Sequence, residues 1–180
     1  QQRGENQWLE RAEEKNQCHQ KRKTKKVAEE SKLIENWIRG QVAKVYKKTG
    51  KAICPFAKKT LQDKTIQITK AKVDLLEHII HCCHMVPIFR LDIVVLYIDY
   101  KISEQRLATI CKQAHNNKLH MAIMYDHPDN KGLHKGVSFS YKKKPLVMIQ
   151  PVDKLKDAQA RLRRSGWYEA WGVEDFEQFY

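Results

Sequence analysis

The sequence contains no glycine-rich phosphate loop, no Gly-x-Ser-x-Gly elbow and no His-Glu-x-x-His motif. Phosphoryl transfer on a P-loop, hydrolysis from a nucleophile elbow and zincin chemistry therefore have no footing in it. Nor does any apolar run approach the roughly 20 residues that a helix needs to cross a bilayer. The longest, Ile93-Val94-Val95-Leu96-Tyr97-Ile98, has the length of a strand, so no membrane association is expected. The chain opens without an apolar h-region, which argues against a secretory signal at that point. Its cysteines number five, an odd count with no Cys-x-x-Cys pair, which points to reduced thiols and a cytoplasmic setting rather than a disulfide framework. No internal repeat is visible, and no cofactor is expected.

What the sequence does have is positive charge. Lys and Arg number 34 against 21 Asp and Glu, for a net charge of +13. Such a balance favours acidic partners (nucleic acid, anionic lipid or phosphorylated metabolites) and says nothing about fold. Residues 1–30 are polar and dense in both charge signs, with only Trp8, Leu9 and Val27 large and apolar. They read as a charged arm, helical or disordered. Within it Lys21, Arg22, Lys23, Lys25 and Lys26 form a basic cluster of the kind that contacts a nucleic-acid backbone or serves as an import signal. Short runs of this kind also occur on ordinary solvated surfaces.

From residue 31 onward the pattern is that of one domain, 31–166. Ser31 can cap a helix whose stripe is Ile34, Trp37, Ile38, Val42, Val45 and Tyr46. Strands are expected at 65–69, 91–100, 119–125 and 146–149, with a further edge strand within 135–144. Helices are expected over 73–86, closed by Pro87, from a Ser103 cap, and from Asp153 to Gly166. Strand, helix, strand, helix, strand reads as successive crossovers. The expected fold is α/β, with α+β as the alternative: one mixed, mostly parallel sheet of four or five strands with helices packed on it. Residues 167–180 form an acidic-aromatic tail, either folded back on the cationic surface or offered to a protein partner.

Two places could carry chemistry. The turn Ile53-Cys54-Pro55-Phe56 sets a thiol at a rigid helix exit, because the proline pushes Cys54 toward an extended conformation. Cys54 is either a reactive group or a small packing residue. Beyond the carboxyl ends of the strands, where ligands of parallel sheets bind, lie Asp99 and the run Asp126-His127-Pro128-Asp129. His127 between two carboxylates can act as a general base, or can simply sit within a turn of turn-forming residues. His78, His81 and Cys82 share one side of a helix and are the candidate metal ligands, although a solvated histidine flank fits the same pattern. Lys142, Lys143 and Lys144 beside Tyr141 and Phe139 combine phosphate-binding cations with stacking aromatics.

The turn Ile53-Cys54-Pro55-Phe56-Ala57-Lys58, the segment His127-Pro128-Asp129, and Lys144-Pro145-Leu146-Val147-Met148-Ile149 before a last helix together resemble uncharacterised small bacterial families of unknown function. Members of those families carry a Cys-Pro-Phe turn and a downstream His-Pro segment. The similarity covers about residues 34–165, leaving out the arm and the tail. It implies a fold and a bacterial cytosolic setting but no reaction, and it singles out Cys54 and His127. The arm and the basicity depart from the pattern and suggest an added binding role.

The leading expectation is a small enzyme whose pocket is lined by Cys54, His127, Asp126, Asp129 and Asp99. Cys54 would be nucleophile or substrate clamp, His127 its base, and Asp126 or Asp129 the orienting acid, acting on a small anionic metabolite. The alternative is a non-catalytic module that meets nucleic acid through Lys21–Lys26 and Lys142–Lys144. A third reading is an assembly subunit docked through arm and tail.

Overall fold

A computed structural model describes residues 20–22, 24–117 and 120–173. The chain divides into two units, Gln1–Leu33 and Ile34–Tyr180. In the first, residues 20–22 and 24–33 are helical, and Lys21, Arg22, Lys25 and Lys26 are exposed; Lys23 lies outside the described residues. Ser31 does not start a helix, because residues 24–30 are already helical. Lysine, alanine and glutamate dominate that stretch, and they carry little helix penalty.

The second unit begins helical at 34–37 and passes into a π-helical turn, Ile38–Val42. Ile34, Ile38 and Val42 are buried as the stripe requires. The stripe stops there: the chain leaves helical geometry after Val42, and Val45 is 62% exposed. The remaining elements are α1 (Ala57–Gln62), β1 (Ile66–Lys70), α2 (Leu75–Ile88), β2 (Ile93–Tyr97), α3 (Glu104–His115), β3 (Met121–Asp126), β4 (Leu133–His134), β5 (Val137–Ser138), β6 (Leu146–Pro151), α4 (Val152–Arg164) and α5 (Trp167–Trp171). Asp74 and Ser103 cap α2 and α3, accepting from the backbone N–H groups of Glu77 and Arg106. Pro87 does not end α2 itself; it sits in the last turn, and the helix runs to Ile88.

One mixed four-stranded sheet has the order β1-β2-β6-β3. It is only partly parallel: β1, β2 and β3 share one direction and β6 is reversed. β1 and β2 pair parallel, but β6 runs antiparallel to both β2 and β3. The cause is the connection between β3 and β6, which holds no crossover helix and so returns the chain in the opposite direction. The expected edge strand within 135–144 reduces to the β4–β5 hairpin, a separate two-stranded pairing. Burial accounts for the order. β2 and β6 are apolar on both faces, with Val94, Val95, Leu96, Tyr97, Leu146, Val147 and Ile149 all buried, and they take the centre. β1 and β3 are only part buried, and they take the edges.

One face of the sheet, with Val94, Leu96, Val147 and Ile149, packs against α2 and α3 through Leu75, Ile79, Val86, Leu107 and Ile110. The other, with Val95, Tyr97 and Leu146, packs against Ile34, Ile38, Val42, Leu61 and Tyr141. A smaller cluster of Trp167, Tyr168 and Trp171 shows that the tail marked off by composition starts as a folded helix. Gly166 and Gly172 bound that helix in left-handed conformations (φ 67° and 64°) that other residues adopt only with strain. Phe176, Phe179 and Tyr180 lie outside the described residues. Among the described residues no helix is long and apolar enough to cross a membrane.

Candidate functional site

The strand register assembles one end of the sheet. Lys70 pairs with Tyr97, Tyr97 with Leu146, and Leu146 with Asp126, so these four form a row. Just beyond it come Lys72, Asp99, Lys101, Lys144 and His127. Asp99 receives Lys70 at 3.0 Å and also Lys144. Hydrogen bonds from Lys144 and then Lys70 hold its carboxyl far below the usual carboxylate range, against a smaller opposing effect of burial. Lys144 also stands 5.6 Å from the Tyr97 ring centroid, at cation–π distance. Asp99 is therefore a fully ionised bridge between two lysines.

Asp126 is held differently. Its Oδ2 accepts from the backbone N–H of Tyr141 at 2.6 Å and from the Ser140 hydroxyl at 3.0 Å. Burial raises its pKa, and those hydrogen bonds pull the other way. The Ser140 hydroxyl also lies 3.1 Å from the His127 carbonyl. Together these contacts close the loop between β3 and β6 on itself.

His127 is buried, at 6% exposure. Its Nε2 lies 3.1 Å from the Ile102 carbonyl oxygen, to which it donates, and its Nδ1 accepts from the backbone N–H of Asp129 at 3.3 Å. Both ring nitrogens are thus occupied, which leaves no lone pair directed at a substrate proton. The Asp129 carboxylate is also near, 3.4 Å from Nδ1, and largely in solvent.

Cys54 sits in the turn that leads into α1. Its backbone N–H donates to Val42 at 2.9 Å, and its side chain packs with the cluster of Val95, Tyr97 and Leu146. Burial pushes its thiol pKa up, outweighing the backbone N–H groups of Phe56 and Ala57. The rise is opposite to what a thiolate nucleophile needs. The turn is anchored by residues the sequence did not suggest. The indole N–H groups of Trp167 and Trp171 both donate to the Ala52 carbonyl, at 2.8 and 3.1 Å. The available signal was the pair of tryptophans four apart between two glycines.

Of the candidate metal ligands, His78 and Cys82 are buried and His81 is exposed. His78 Nδ1 accepts from the Lys72 backbone N–H at 3.1 Å, and burial lowers its pKa. Among the described residues no group of three His, Cys, Asp or Glu is arranged to hold a metal ion. Burial also raises the thiol pKa of Cys82, Cys83 and Cys111, the last two to about 12.

The lysines remain. Lys72, Lys101, Lys142 and Lys143 are exposed at the same end of the sheet, following β1 and β2 and preceding β6. Lys142 donates to the carbonyls of Pro128 and Asn130, which offsets none of its charge. Asp99 is already shared between two lysines and Asp126 is turned inward, while Asp129 keeps an exposed carboxylate at this end. Lys70, Lys72 and Ser140 were not among the expected site residues; only the register brings Lys70 beside the end of β2. Comparison with protein-family models, with curated proteins and with solved structures finds no match to this chain.

Proposed function

We propose that the chain is a non-catalytic binding module for a polyanion, nucleic acid by class, contacted through the lysines at the carboxyl ends of β1 and β2 and ahead of β6. The observation that carries this reading is that Lys72, Lys101, Lys142 and Lys143 are all exposed in the segments that follow β1 and β2 and precede β6, where Asp99 is already bridged by Lys70 and Lys144. Lysines spaced along one edge make point contacts with successive phosphates, which gives affinity without base readout. The exposed Lys21, Arg22, Lys25 and Lys26 of the first unit supply a second set of cations for the same kind of partner. The resemblance and the reduced-thiol pattern suit a cytoplasmic module.

The same geometry gives less support to cysteine–histidine catalysis. Its nucleophile has a raised pKa, and both nitrogens of its base are bonded elsewhere. The test is fluorescence anisotropy of a labelled single-stranded oligonucleotide across a salt series. Binding should be measurable at low salt and fall steeply as salt rises. No binding at low salt, where such attraction is strongest, would overturn the reading.

A further inference from the structure

Away from the lysine cluster, a cavity of about 260 Å³ lies between the Cys54 turn and the last two helices. Its apolar walls are Pro55, Phe56, Leu162 and Trp167, its cations are Lys51 and Arg161, and among the described residues no acid lines it. Trp167 spends its indole N–H on the Ala52 carbonyl, so it has only its ring to present. Lys51 donates to the Ser165 carbonyl at 2.7 Å. That contact answers the partial negative charge at the end of α4 and leaves further ammonium hydrogens. Arg161 is exposed and takes part in no ion pair among the described residues.

A small, largely apolar cavity whose lining includes a guanidinium and an ammonium has a definite chemical complement. Small-molecule pockets usually run about 300–1,000 Å³, so this one is too small for a nucleotide and suits about one ring. Arginine recognises a carboxylate with two parallel hydrogen bonds. We propose that this cavity binds a small aromatic carboxylate, its ring against Pro55, Phe56 and Trp167 and its carboxylate on Arg161 and Lys51. The Cys-Pro-Phe turn is then a ligand wall, and its cysteine is the packed hinge behind that wall. The site is independent of the polyanion surface, and neither requires the other.

The full chain, ¹⁵N-labelled, is titrated in parallel with phenylacetate, benzyl alcohol, acetate and inorganic phosphate while the Trp167 indole N–H signal is followed. Phenylacetate should shift that signal saturably. Benzyl alcohol, which lacks the charge, and acetate and phosphate, which lack the ring, should each bind at least about tenfold more weakly. Arg161→Gln, a change at an exposed position, should weaken phenylacetate about tenfold while the other amide signals stay in place. Phe56→Leu should weaken it as well, with benzyl alcohol losing in proportion. The proposal is overturned if phenylacetate gives no saturable shift, if phosphate binds as tightly, or if Arg161→Gln binds like the parent chain.

Discussion

β2 and β3 flank β6 and end at the same level of the sheet, and an aspartate stands at the end of each. Asp99 is gripped by two lysine side chains and has its pKa driven down; Asp126 is gripped by a backbone N–H and a hydroxyl and has its pKa driven up by burial. The first balances charge on a wet surface. The second latches a loop. Two carboxylates that look interchangeable in the sequence therefore answer to different physics, and neither is presented to a substrate.

The largest effect that would break this comparison lies at Asp126. Asp126→Ala leaves the Tyr141 N–H and the Ser140 hydroxyl without their acceptor in a buried setting. A loss of about 2–3 kcal/mol is expected in urea unfolding, with hydrogen-exchange protection lost first across the loop to β6. A change below about 0.5 kcal/mol would mean that solvent replaces the latch at no cost.

Asp99→Asn should cost less, about 1 kcal/mol at neutral pH, because the pair is partly exposed and screened. Its pH dependence is the sharper reading. The folded pKa of Asp99 lies below the unfolded value of about 3.9. Its contribution is therefore complete above that value and fades as pH falls toward the folded one. Parent and variant should converge in strong acid, and a gap independent of pH would show that the ion pairs are not its source.

A smaller effect is expected at Cys54. With its pKa raised, it should label slowly at neutral pH, and His127→Ala should leave the rate within about twofold. Fast labelling that His127→Ala slows would restore the cysteine–histidine enzyme.

These contrasts also mark what the sequence could disclose. The unbroken apolar run Ile93–Ile98 announced a central strand, and it is one, because a strand buried on both faces has no polar side to show. The direction of β6 was not legible. Its own residues suit either sense, and only the lack of a helix between it and β3 decides. Asp126 and His127 were found as residues, but their partners Ser140, Tyr141 and Ile102 come from other segments, and no local spacing encodes that. Trp167 and Trp171 belong to a tail that the sequence leaves either folded back or offered to a partner, because their acceptor, Ala52, lies 115 and 119 residues earlier.

The central claim is that the strand-end lysines bind a polyanion, and one measurement addresses it directly. The slope of log affinity against log salt is compared for the full chain and for the variant Lys72→Gln, Lys101→Gln, Lys142→Gln, Lys143→Gln on one single-stranded oligonucleotide. Each phosphate contact contributes about −0.7 on single strands, so four lost lysines should flatten the slope by up to about 3. An unchanged slope in that variant, with binding lost instead on neutralising Lys21, Arg22, Lys25 and Lys26, would contradict the account.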